Sequence, residues 1–379
     1  MSKATRRLLV VVYCLALWVT LDFIYSHTLG APGAREPSPR TRAKDYHHGL
    51  VANFAGHDRW GPNRYPFFTN SLGLRDAAPR DVPKRFDGRR IVLIGDSFTE
   101  GTGVAYEASF AGLLAQAPAA RQHKLEFLNA GVVSYSPVIY YKRIKHLLDS
   151  RLAFDEVVVF PDISDVQDEA TGYFCIDDDA AYRKYCNDRA EAPPGRKFFS
   201  NFVISYNAHA LVKNAILTWR GGPKARMLNR FPRSGWTIPG FDVGNRFAPL
   251  GVEGGIARSV QNMQALADLL KARGIPLTVV VFPWPMQLAH DDRDSRHVAI
   301  WRDFCATNCK AFIDVFPAFF AEKDAHADWY ERLFIYGDMH FSAAGNRLVF
   351  RELAKHLLPG HATGERAAAV GIEGTVTAP

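Results

Sequence analysis

The stretch RRIVLIGDSFTEGTGV, residues Arg89–Val104, decides the fold of this chain. Its four apolar residues, Ile91–Ile94, predict a strand covered on both faces, because such strands are continuous apolar runs. The run stops at Gly95-Asp96-Ser97, where a helix would begin. Ligands of parallel α/β sheets bind beyond the carboxyl ends of the strands. The sequence therefore predicts an exposed Ser97 hydroxyl beside helix amides, with Asp96 as a helix cap or a binding residue.

Strand and helix patterns alternate through the rest of the domain. Further apolar runs predict strands at Leu125–Asn129, Glu156–Phe160, Leu277–Phe282 and Ala311–Val315. Helical periodicity separates several of them, and Ser342 is a suitable cap for the last helix. Strands separated by helices are typical of a parallel sheet with helices on both faces. We predict a three-layer α/β/α sandwich with a mainly parallel sheet.

The N-terminus is basic and then apolar. From Leu8 to Tyr25 only Thr20 and Asp22 are polar. This pattern predicts a signal peptide or a single membrane anchor within residues 1–26, and we favour an uncleaved anchor because no convincing small-residue cleavage site follows it. The basic flank would stay in the cytoplasm, so the remainder would lie outside it.

The rest of the chain divides into three parts. Residues 27–65 form a linker and lead-in segment, 66–358 the α/β domain with a capping insertion at about 166–250, and 359–379 a disordered tail. Within the insertion, Phe202–Trp219 is amphipathic. It could lie on a membrane, but we favour a helix packed on the domain.

Composition and cysteine usage narrow the class of protein. The 379 residues are 47% hydrophobic and 22% charged, with a net charge of +7. The basic residues are scattered and no nucleic-acid motif occurs, so we expect no nucleic-acid partner. Four cysteines form two local couples, Cys175 with Cys186 and Cys305 with Cys309. In an oxidising compartment each couple predicts a disulfide, and zinc binding is the less favoured alternative.

A serine hydroxyl needs a base before it can act as a nucleophile. Among thirteen histidines, His340 is the best candidate, because it precedes the last helix and follows Asp338 by two residues. In an extended segment both side chains point the same way, so Asp338 would hold one imidazole nitrogen while the other faces Ser97. The turn after the second strand also offers the Gly131 amide as an oxyanion donor. The alternative is that Ser97 only caps a helix.

Polar side chains at other strand ends are candidates for binding substrate. We place Asp96, Asp165, Trp284 and Gln287 in this group. Aromatic and amide groups at a strand end suit sugar stacking and hydroxyl recognition. Helix capping for the acids, and plain packing for Trp284 and Gln287, stay open as alternatives. Metal binding by the acidic run that contains Asp165 is disfavoured.

Three sequence blocks together resemble the SGNH (GDSL-type) hydrolase superfamily. GDSFTEG resembles its first block and supplies Ser97, NAGVVS resembles the second and supplies Gly131, and DMHFSAAG resembles the last and supplies Asp338 and His340. The resemblance covers about residues 70–358 without the insertion. It implies a flavodoxin-like sandwich, a Ser-His-Asp triad and no cofactor.

Two departures from the family pattern bear on activity. Typical members place the aspartate three residues before the histidine, whereas here it is two before, as in members resembling alginate O-acetyltransferase-like envelope proteins. The third block, usually Gly-x-Asn-Asp, corresponds here to residues 162–165, so that Ser164 stands where the asparagine donor would be. The implied oxyanion donors are therefore Ser97, Gly131 and Ser164. Loss of one such donor costs about 2.7–4 kcal/mol in the barrier.

The expected protein is a serine esterase or O-acyltransferase of the bacterial cell envelope, anchored in the inner membrane with its catalytic domain in the periplasm. The resemblance implies an acylated carbohydrate or another small ester as substrate, with O-acetyl as the acyl group. The alternative is a catalytically weak or inactive protein of the same fold that binds glycan or an envelope partner. The sequence does not predict the oligomeric state.

Overall fold

The computed structural model describes residues 2–27, 38–61, 63–176 and 232–360, together with isolated positions between 202 and 219. Ten strands are formed in these parts: β1 Arg40–Ala43, β2 His47–Leu50, β3 Ala55–Trp60, β4 Asn63–Thr69, β5 Arg75–Asp76, β6 Arg89–Gly95, β7 Leu125–Asn129, β8 Glu156–Phe160, β9 Leu277–Val281 and β10 Ala311–Asp314.

Twelve α-helices lie in the continuously described parts of the chain: α1 Lys3–His27, α2 Ser97–Glu100, α3 Phe110–Gln116, α4 Pro118–Gln122, α5 Pro137–Asp149, α6 Asp165–Thr171, α7 Gly251–Lys271, α8 Pro285–His290, α9 Arg296–Asn308, α10 Phe316–Ala325, α11 Trp329–Leu333 and α12 Ala343–Leu357. Short 3₁₀ turns lie at 106–108, 232–237 and 244–247.

Eight strands form one sheet in the order β10-β9-β8-β6-β7-β5-β4-β3. The first five of these are parallel to one another and are the five strands that the apolar runs predict. Ile91–Ile94 of β6 are fully buried at the centre, which explains the continuous apolar run. The predicted mainly parallel sheet is confirmed.

Helices cover both faces of this sheet. The chain moves from β6 outward to β7 through α3, and then back across β6 to β8 through α5. Because right-handed crossovers in opposite directions place their helices on opposite faces, α3 and α5 belong to different layers. Helix α7 packs against α5 and α6, and α12 packs against α3. The predicted three-layer α/β/α fold is confirmed.

The sheet extends further than the apolar runs indicate. Strands β5, β4 and β3 are antiparallel and continue the sheet beyond β7. In β4, Tyr65, Phe67 and Thr69 are buried and alternate with more exposed residues, as expected for a strand that faces the core on one side. Residues 55–60, placed by the sequence in a linker and lead-in segment, thus form strand β3 of the main sheet.

The structure describes only some of the residues in the predicted membrane anchor, disulfides, insertion and tail. Helix α1 contains a segment, Lys3–Ser26, that is long and apolar enough to cross a membrane. Cys305 and Cys309 form the predicted disulfide. Cys186, the predicted partner of Cys175, lies outside the described residues, as do residues 177–201 and 220–231 of the predicted insertion and residues 361–379 of the predicted tail.

Candidate active site

Ser97 lies where the central strand turns into a helix. Strand β6 ends at Gly95, α2 begins at Ser97, and the Asp96 carboxylate between them accepts a hydrogen bond from the Phe98 amide at 3.0 Å. A side chain at Gly95 would place its Cβ 2.2 Å from the Thr99 hydroxyl oxygen. Glycine at this position therefore lets α2 fold back closely on the strand, and Asp96 is the helix cap.

The C-terminal end of α2 is held by Gly101 and Arg75. Gly101 closes the helix in the left-handed region, at a φ of 80°. The buried guanidinium of Arg75 donates hydrogen bonds to the carbonyl oxygens of Glu100, Gly101 and Val104, at 2.5 to 2.6 Å. A cation at the C-terminal end of a helix satisfies carbonyls that have no partner within the helix. The four-residue helix that carries Ser97 is thereby fixed at both ends.

His340 lies opposite Ser97, although 243 residues separate them. Its Nε2 is 2.8 Å from Ser97 Oγ, and its Nδ1 is 2.5 Å from Asp338 Oδ1. Ser342 caps α12 directly after this loop by accepting hydrogen bonds from the amides of Ala344 and Gly345. The structure thus brings together the three side chains that the sequence selects, in the order hydroxyl, imidazole, carboxylate.

Asp338 is held by more than the imidazole. Its Oδ1 also accepts a hydrogen bond from the His340 amide at 3.0 Å, and its Oδ2 accepts one from the Trp60 indole N–H at 3.0 Å. Burial raises the pKa of Asp338, but hydrogen bonds and charge interaction with His340, assisted by Trp60, outweigh burial and lower that pKa to about 2. The carboxylate is therefore ionised at any pH near neutrality.

Trp60 contacts the histidine as well as the aspartate. Its ring meets the His340 imidazole edge to face, with centroids 4.9 Å apart. Trp60 ends strand β3, and Arg40 ties this region to the serine helix by ion pairs to Asp58 at 2.6 Å and to Glu100 at 2.5 Å. Trp60 is not among the site residues that the sequence predicts, because residues 27–65 are predicted to form a linker and lead-in segment outside the domain. The sequence signal for this hairpin is the two-residue spacing of Tyr65 and Phe67, whose side chains are buried on one face of the neighbouring strand β4.

The expected oxyanion donors differ in availability. Within the described parts of the chain, the Ser97 amide has no hydrogen-bond partner, as expected for the first turn of a helix. The Gly131 amide, in contrast, donates to Asn129 Oδ1 at 3.0 Å. A Cβ at position 131 would lie 2.7 Å from the Thr99 Cβ. Gly131 is thus needed for its close approach to α2, while its amide already has a partner.

Ser164 is engaged with its own loop. Its amide donates to Asp162 Oδ1 at 2.7 Å. Burial raises the pKa of Asp162, and hydrogen bonding to Ser164 acts against that effect. The Ser164 backbone is therefore fixed on Asp162, whereas its hydroxyl can rotate about the Cβ–Oγ bond.

Trp284 and Gln287, placed by the sequence among the substrate-binding residues, are buried and fully engaged. The Trp284 indole donates to Asp162 Oδ2 at 2.7 Å. Gln287 Oε1 accepts from the Trp284 amide at 3.1 Å, and Gln287 Nε2 donates to the Ser234 carbonyl oxygen at 2.8 Å. Both side chains support the loop rather than offer free groups to a ligand, which favours the packing alternative.

Asp96 and Asp165 belong to a buried acidic group beneath the serine. Asp165 Oδ2 accepts hydrogen bonds from the Tyr140 hydroxyl at 2.9 Å and from the Asp162 amide at 3.0 Å. Burial raises the pKa of Asp165 well above its usual range, and the neighbouring charges of Asp162 and Asp96 add to this. Burial likewise raises the pKa of Asp96. Asp96 caps α2 and Asp165 hydrogen-bonds the loop before α6, which favours a structural role for these two acids over substrate binding.

One cation offsets this acidic group. Arg233 donates to Asp168 Oδ2 at 2.8 Å and to the Ser164 carbonyl oxygen at 3.2 Å. The pKa of Arg233 is raised because its attraction to Asp168 and Asp162 outweighs burial. Among the residues that the structure describes, no three His, Cys, Asp or Glu side chains are arranged as a metal site.

Comparison with known proteins gives a family and distant structural neighbours. The model of the GDSL-like lipase/acylhydrolase family matches residues 93–348. A catalytic mutant of Axe2, an acetylxylan esterase from Geobacillus stearothermophilus, is similar with 13% identity over 72% of this chain and 95% of that chain, at a TM-score of 0.40. The psychrotrophic esterase EstA from a Pseudoalteromonas species is similar with 12% identity over 70% of this chain and 95% of that chain, at a TM-score of 0.37. No curated protein matches the chain.

Proposed function

Because the chain belongs to the GDSL-like lipase/acylhydrolase family, we propose that it is a serine esterase or O-acyltransferase with Ser97, His340 and Asp338 as its triad. Membership in this family supports cleavage of esters as the general reaction. The observation that carries the proposal is the continuous contact from Ser97 Oγ through both nitrogens of His340 to Asp338 Oδ1.

The reaction begins at Ser97. Its oxygen attacks the acyl carbonyl carbon while His340 Nε2 takes the hydroxyl proton, and Asp338 holds the Nδ1–H and stabilises the imidazolium. The carbonyl π electrons move onto the oxygen, which becomes an oxyanion. When this intermediate collapses, the ester C–O bond breaks and the alcohol leaves with the proton from His340. Water or another hydroxyl then attacks the acyl-enzyme by the same steps in reverse, giving hydrolysis or acyl transfer.

The Ser97 amide is the first oxyanion donor in this scheme, because its N–H belongs to the first turn of α2 and has no partner within the described residues. The Gly131 amide becomes a second donor when the Asn129 side chain turns away from it. Asn129 Nδ2 meanwhile donates to the Thr99 carbonyl oxygen at 2.7 Å, which opposes that rotation. The completed oxyanion hole therefore needs a local rearrangement on substrate binding.

Two hydrogen-bond acceptors compete for the Ser97 proton. Ser97 Oγ is 2.8 Å from His340 Nε2 and 3.1 Å from Asp96 Oδ2. Only the bond to His340 prepares the oxygen for attack. Protonation of Asp96, which burial favours, would remove the negative charge that competes for the hydroxyl proton. We infer that the active form has the Ser97 hydroxyl directed to His340.

The finer proposal concerns the substrate. We propose an O-acetyl ester on an envelope or exported glycan, with the enzyme held at the inner membrane by α1 and the domain in the periplasm. The two-residue spacing of Asp338 and His340, shared with alginate O-acetyltransferase-like proteins, supports the acyl group. The apolar helix Lys3–Ser26 and the disulfide Cys305–Cys309 support the location.

A catalytically weak binding protein is the second candidate. It is favoured by the engagement of the Gly131 amide with Asn129 Oδ1, and by the serine at position 164 where the family pattern has an asparagine donor. Losing one donor costs about a hundredfold or more in kcat. This candidate keeps the fold but predicts little turnover.

A labelling and turnover experiment separates the two candidates. The full chain, purified in detergent, is incubated with a serine-directed fluorophosphonate and with p-nitrophenyl esters of increasing acyl length, followed by acetylated glycans. We expect labelling and turnover of the acetyl ester, both abolished in Ser97→Ala. Ser259→Ala is a matched control, because Ser259 is a buried serine in α7 that bonds within its own helix.

Three results would speak against the proposal. Labelling that persists in Ser97→Ala would exclude Ser97 as the nucleophile. Absence of both labelling and turnover in the folded wild-type chain would favour the binding protein. A preference for long acyl chains would replace the acetyl ester with a lipid substrate.

A further inference from the structure

A second segment is joined to the outer end of the apolar helix α1. The Asp22 carboxylate accepts hydrogen bonds from the backbone amides of Ile204 at 2.9 Å and of Ser205 at 2.8 Å. The Trp18 indole donates to the Ser205 hydroxyl at 3.0 Å. Asp22 is only 1% exposed as a result. Asp22, the one charged residue within the apolar run, therefore has hydrogen-bond donors from the backbone at positions 204 and 205.

These contacts fix a depth for that segment. A helix rises 1.5 Å per residue, so Asp22 and Trp18 lie about 4.5 and 10 Å inward from Tyr25, the outer end of the apolar run. If α1 crosses a bilayer, the atoms that contact both side chains lie at the same depth. Positions 204 and 205 are then about 5–10 Å inside the outer boundary of the apolar zone, which is where interfacial helices lie.

The described positions that follow are helical and apolar on one face. Leu211, Val212, Ile216 and Trp219 are 70%, 58%, 46% and 85% exposed. At about 100° per residue these four positions fall within an arc of about 140°, a single face of a helix. The expectation that this stretch packs on the domain is not met at these positions. Large apolar side chains clustered in this way mark a contact surface.

We propose that the described positions between 202 and 219 belong to a second, interfacial membrane element, which inserts Leu211, Val212, Ile216 and Trp219 into the lipid around the outer end of α1. Its partner is the boundary between headgroups and acyl chains of the membrane that α1 crosses. Continuity with α1 through Asp22 and Trp18 argues for this occupant. The Phe202 ring also contacts Phe23 of α1, with centroids 6.1 Å apart. The inference rests on the proposed anchoring by α1 and is independent of the proposed chemistry.

The test measures the depth of single labels in lipid. The full chain, with Cys14→Ala as background, is reconstituted in phosphatidylcholine–phosphatidylglycerol vesicles and labelled with the fluorophore NBD at Trp219→Cys or Val212→Cys. Leu15→Cys in α1 is the membrane reference, and Asp292→Cys on an exposed loop is the aqueous reference. Lipids that carry a nitroxide near the headgroup or in the middle of the acyl chain serve as quenchers.

We expect labels at 219 and 212 to be quenched at least about twofold more strongly by the shallow nitroxide than by the deep one, as for an interfacial helix. The label at 15 should respond to the deep nitroxide and the label at 292 to neither. Asp22→Leu removes the acceptor for the amides of Ile204 and Ser205, so it should reduce the quenching at 219 and leave that at 15 unchanged. Asp22→Asn keeps one acceptor oxygen and should fall between.

Three outcomes would overturn the proposal. Quenching at 15 but not at 219 or 212 would leave α1 as the only membrane element. No quenching at 15 would remove the anchor and the second element together. Unquenched label at 219, combined with disulfide-linked dimers of unlabelled Trp219→Cys, would assign the apolar face to a second copy of the chain. None of these results bears on esterase activity, which is measured separately with p-nitrophenyl acetate.

Discussion

Replacing Trp60 with phenylalanine tests whether the β3 hairpin belongs to the catalytic machinery. The change keeps an aromatic ring against His340 and removes the N–H that donates to Asp338 Oδ2 at 3.0 Å. Among the residues that the structure describes, only those that contact Oδ1 then still hold the Asp338 carboxylate. Rotation of the carboxylate can move Oδ1 away from His340 Nδ1, and the imidazole loses its alignment with Ser97.

The size of the effect follows from the type of bond and its exposure. A hydrogen bond to a charged group contributes about 1.5–3 kcal/mol. The Asp338 side chain is 21% exposed, so water partly replaces the lost donor. We expect a loss of about 1–2 kcal/mol in transition-state stabilisation, which is about a five- to thirtyfold decrease in kcat.

The assay is steady-state hydrolysis of p-nitrophenyl acetate, with the rate of fluorophosphonate labelling as a second measure of Ser97 reactivity. For Trp60→Phe we expect kcat and the labelling rate to decrease by similar factors, with KM nearly unchanged. Trp301→Phe is the control, because it makes the same change of residue type at a buried tryptophan that packs on His297 and Phe304 and not on His340. A kcat within twofold of wild type, in a variant with the wild-type melting temperature, would refute the role of Trp60.

Three further substitutions test the surroundings of the triad. Ser164→Ala should lower kcat less than about fivefold, because a freely rotating hydroxyl is a weak substitute for a fixed donor, whereas a true oxyanion donor would cost a hundredfold or more. Asp165→Asn should stabilise the fold by about 1–3 kcal/mol at pH 8 and by less at pH 5, as measured by urea unfolding, because the buried carboxyl disfavours ionisation. Gly131→Ala should destabilise the fold by about 1–3 kcal/mol in the same assay and also lower kcat, since the new Cβ meets Thr99 at 2.7 Å.

The sign of the pH effect at Asp165 follows from the raised pKa. Below the ordinary aspartate pKa of 3.8, the carboxyl is protonated in both the folded and the unfolded states and does not change the free energy of unfolding. Between that pH and the raised folded-state pKa, the unfolded chain is ionised while the folded carboxyl stays protonated, so the wild type loses stability as the pH rises and the asparagine variant does not. A stability difference that shrinks with rising pH would contradict this assignment. The exposed Asp292→Asn variant, which should show no such trend, is the control.

Ser164→Ala and Gly131→Ala each have one result that would contradict the expected effect. A hundredfold loss in Ser164→Ala would make its hydroxyl an oxyanion donor after all. Wild-type stability in Gly131→Ala would mean that α2 can move aside, and the close contact with Thr99 would then not explain the glycine.

The central strands and the proximity of Ser97, His340 and Asp338 could be predicted because their patterns are local or chemically restricted. Ile91–Ile94 is apolar throughout since both faces of β6 are covered. Ser97 follows a strand end, and Asp338 precedes His340 by two residues on one short loop. Each of these features is visible within a few residues of sequence. Pairing Ser97 with His340 needed only the general rule that strand ends share one edge of the sheet.

The antiparallel part of the site could not be predicted in the same way. Strand β3, with the sequence AGHDRW, is a polar edge strand and has no apolar run. Trp60 acquires its role through pairing with β4 and through a contact 278 residues away, at Asp338. The occupation of the Gly131 amide by Asn129 depends on one side-chain orientation, which no sequence pattern records.

The family match and the folded unit have different limits, and this matters to anyone who expresses the protein. A recombinant fragment trimmed to residues 93–348 would lose β3, β4 and β5 and bare the edge of β7, which invites aggregation. It would also lack Arg75, which hydrogen-bonds the carbonyl oxygens at the end of α2, and Trp60, which donates a hydrogen bond to Asp338. A fragment begun ahead of Arg40 retains all of these, so solubility and activity should return together as the N-terminal limit is moved upstream.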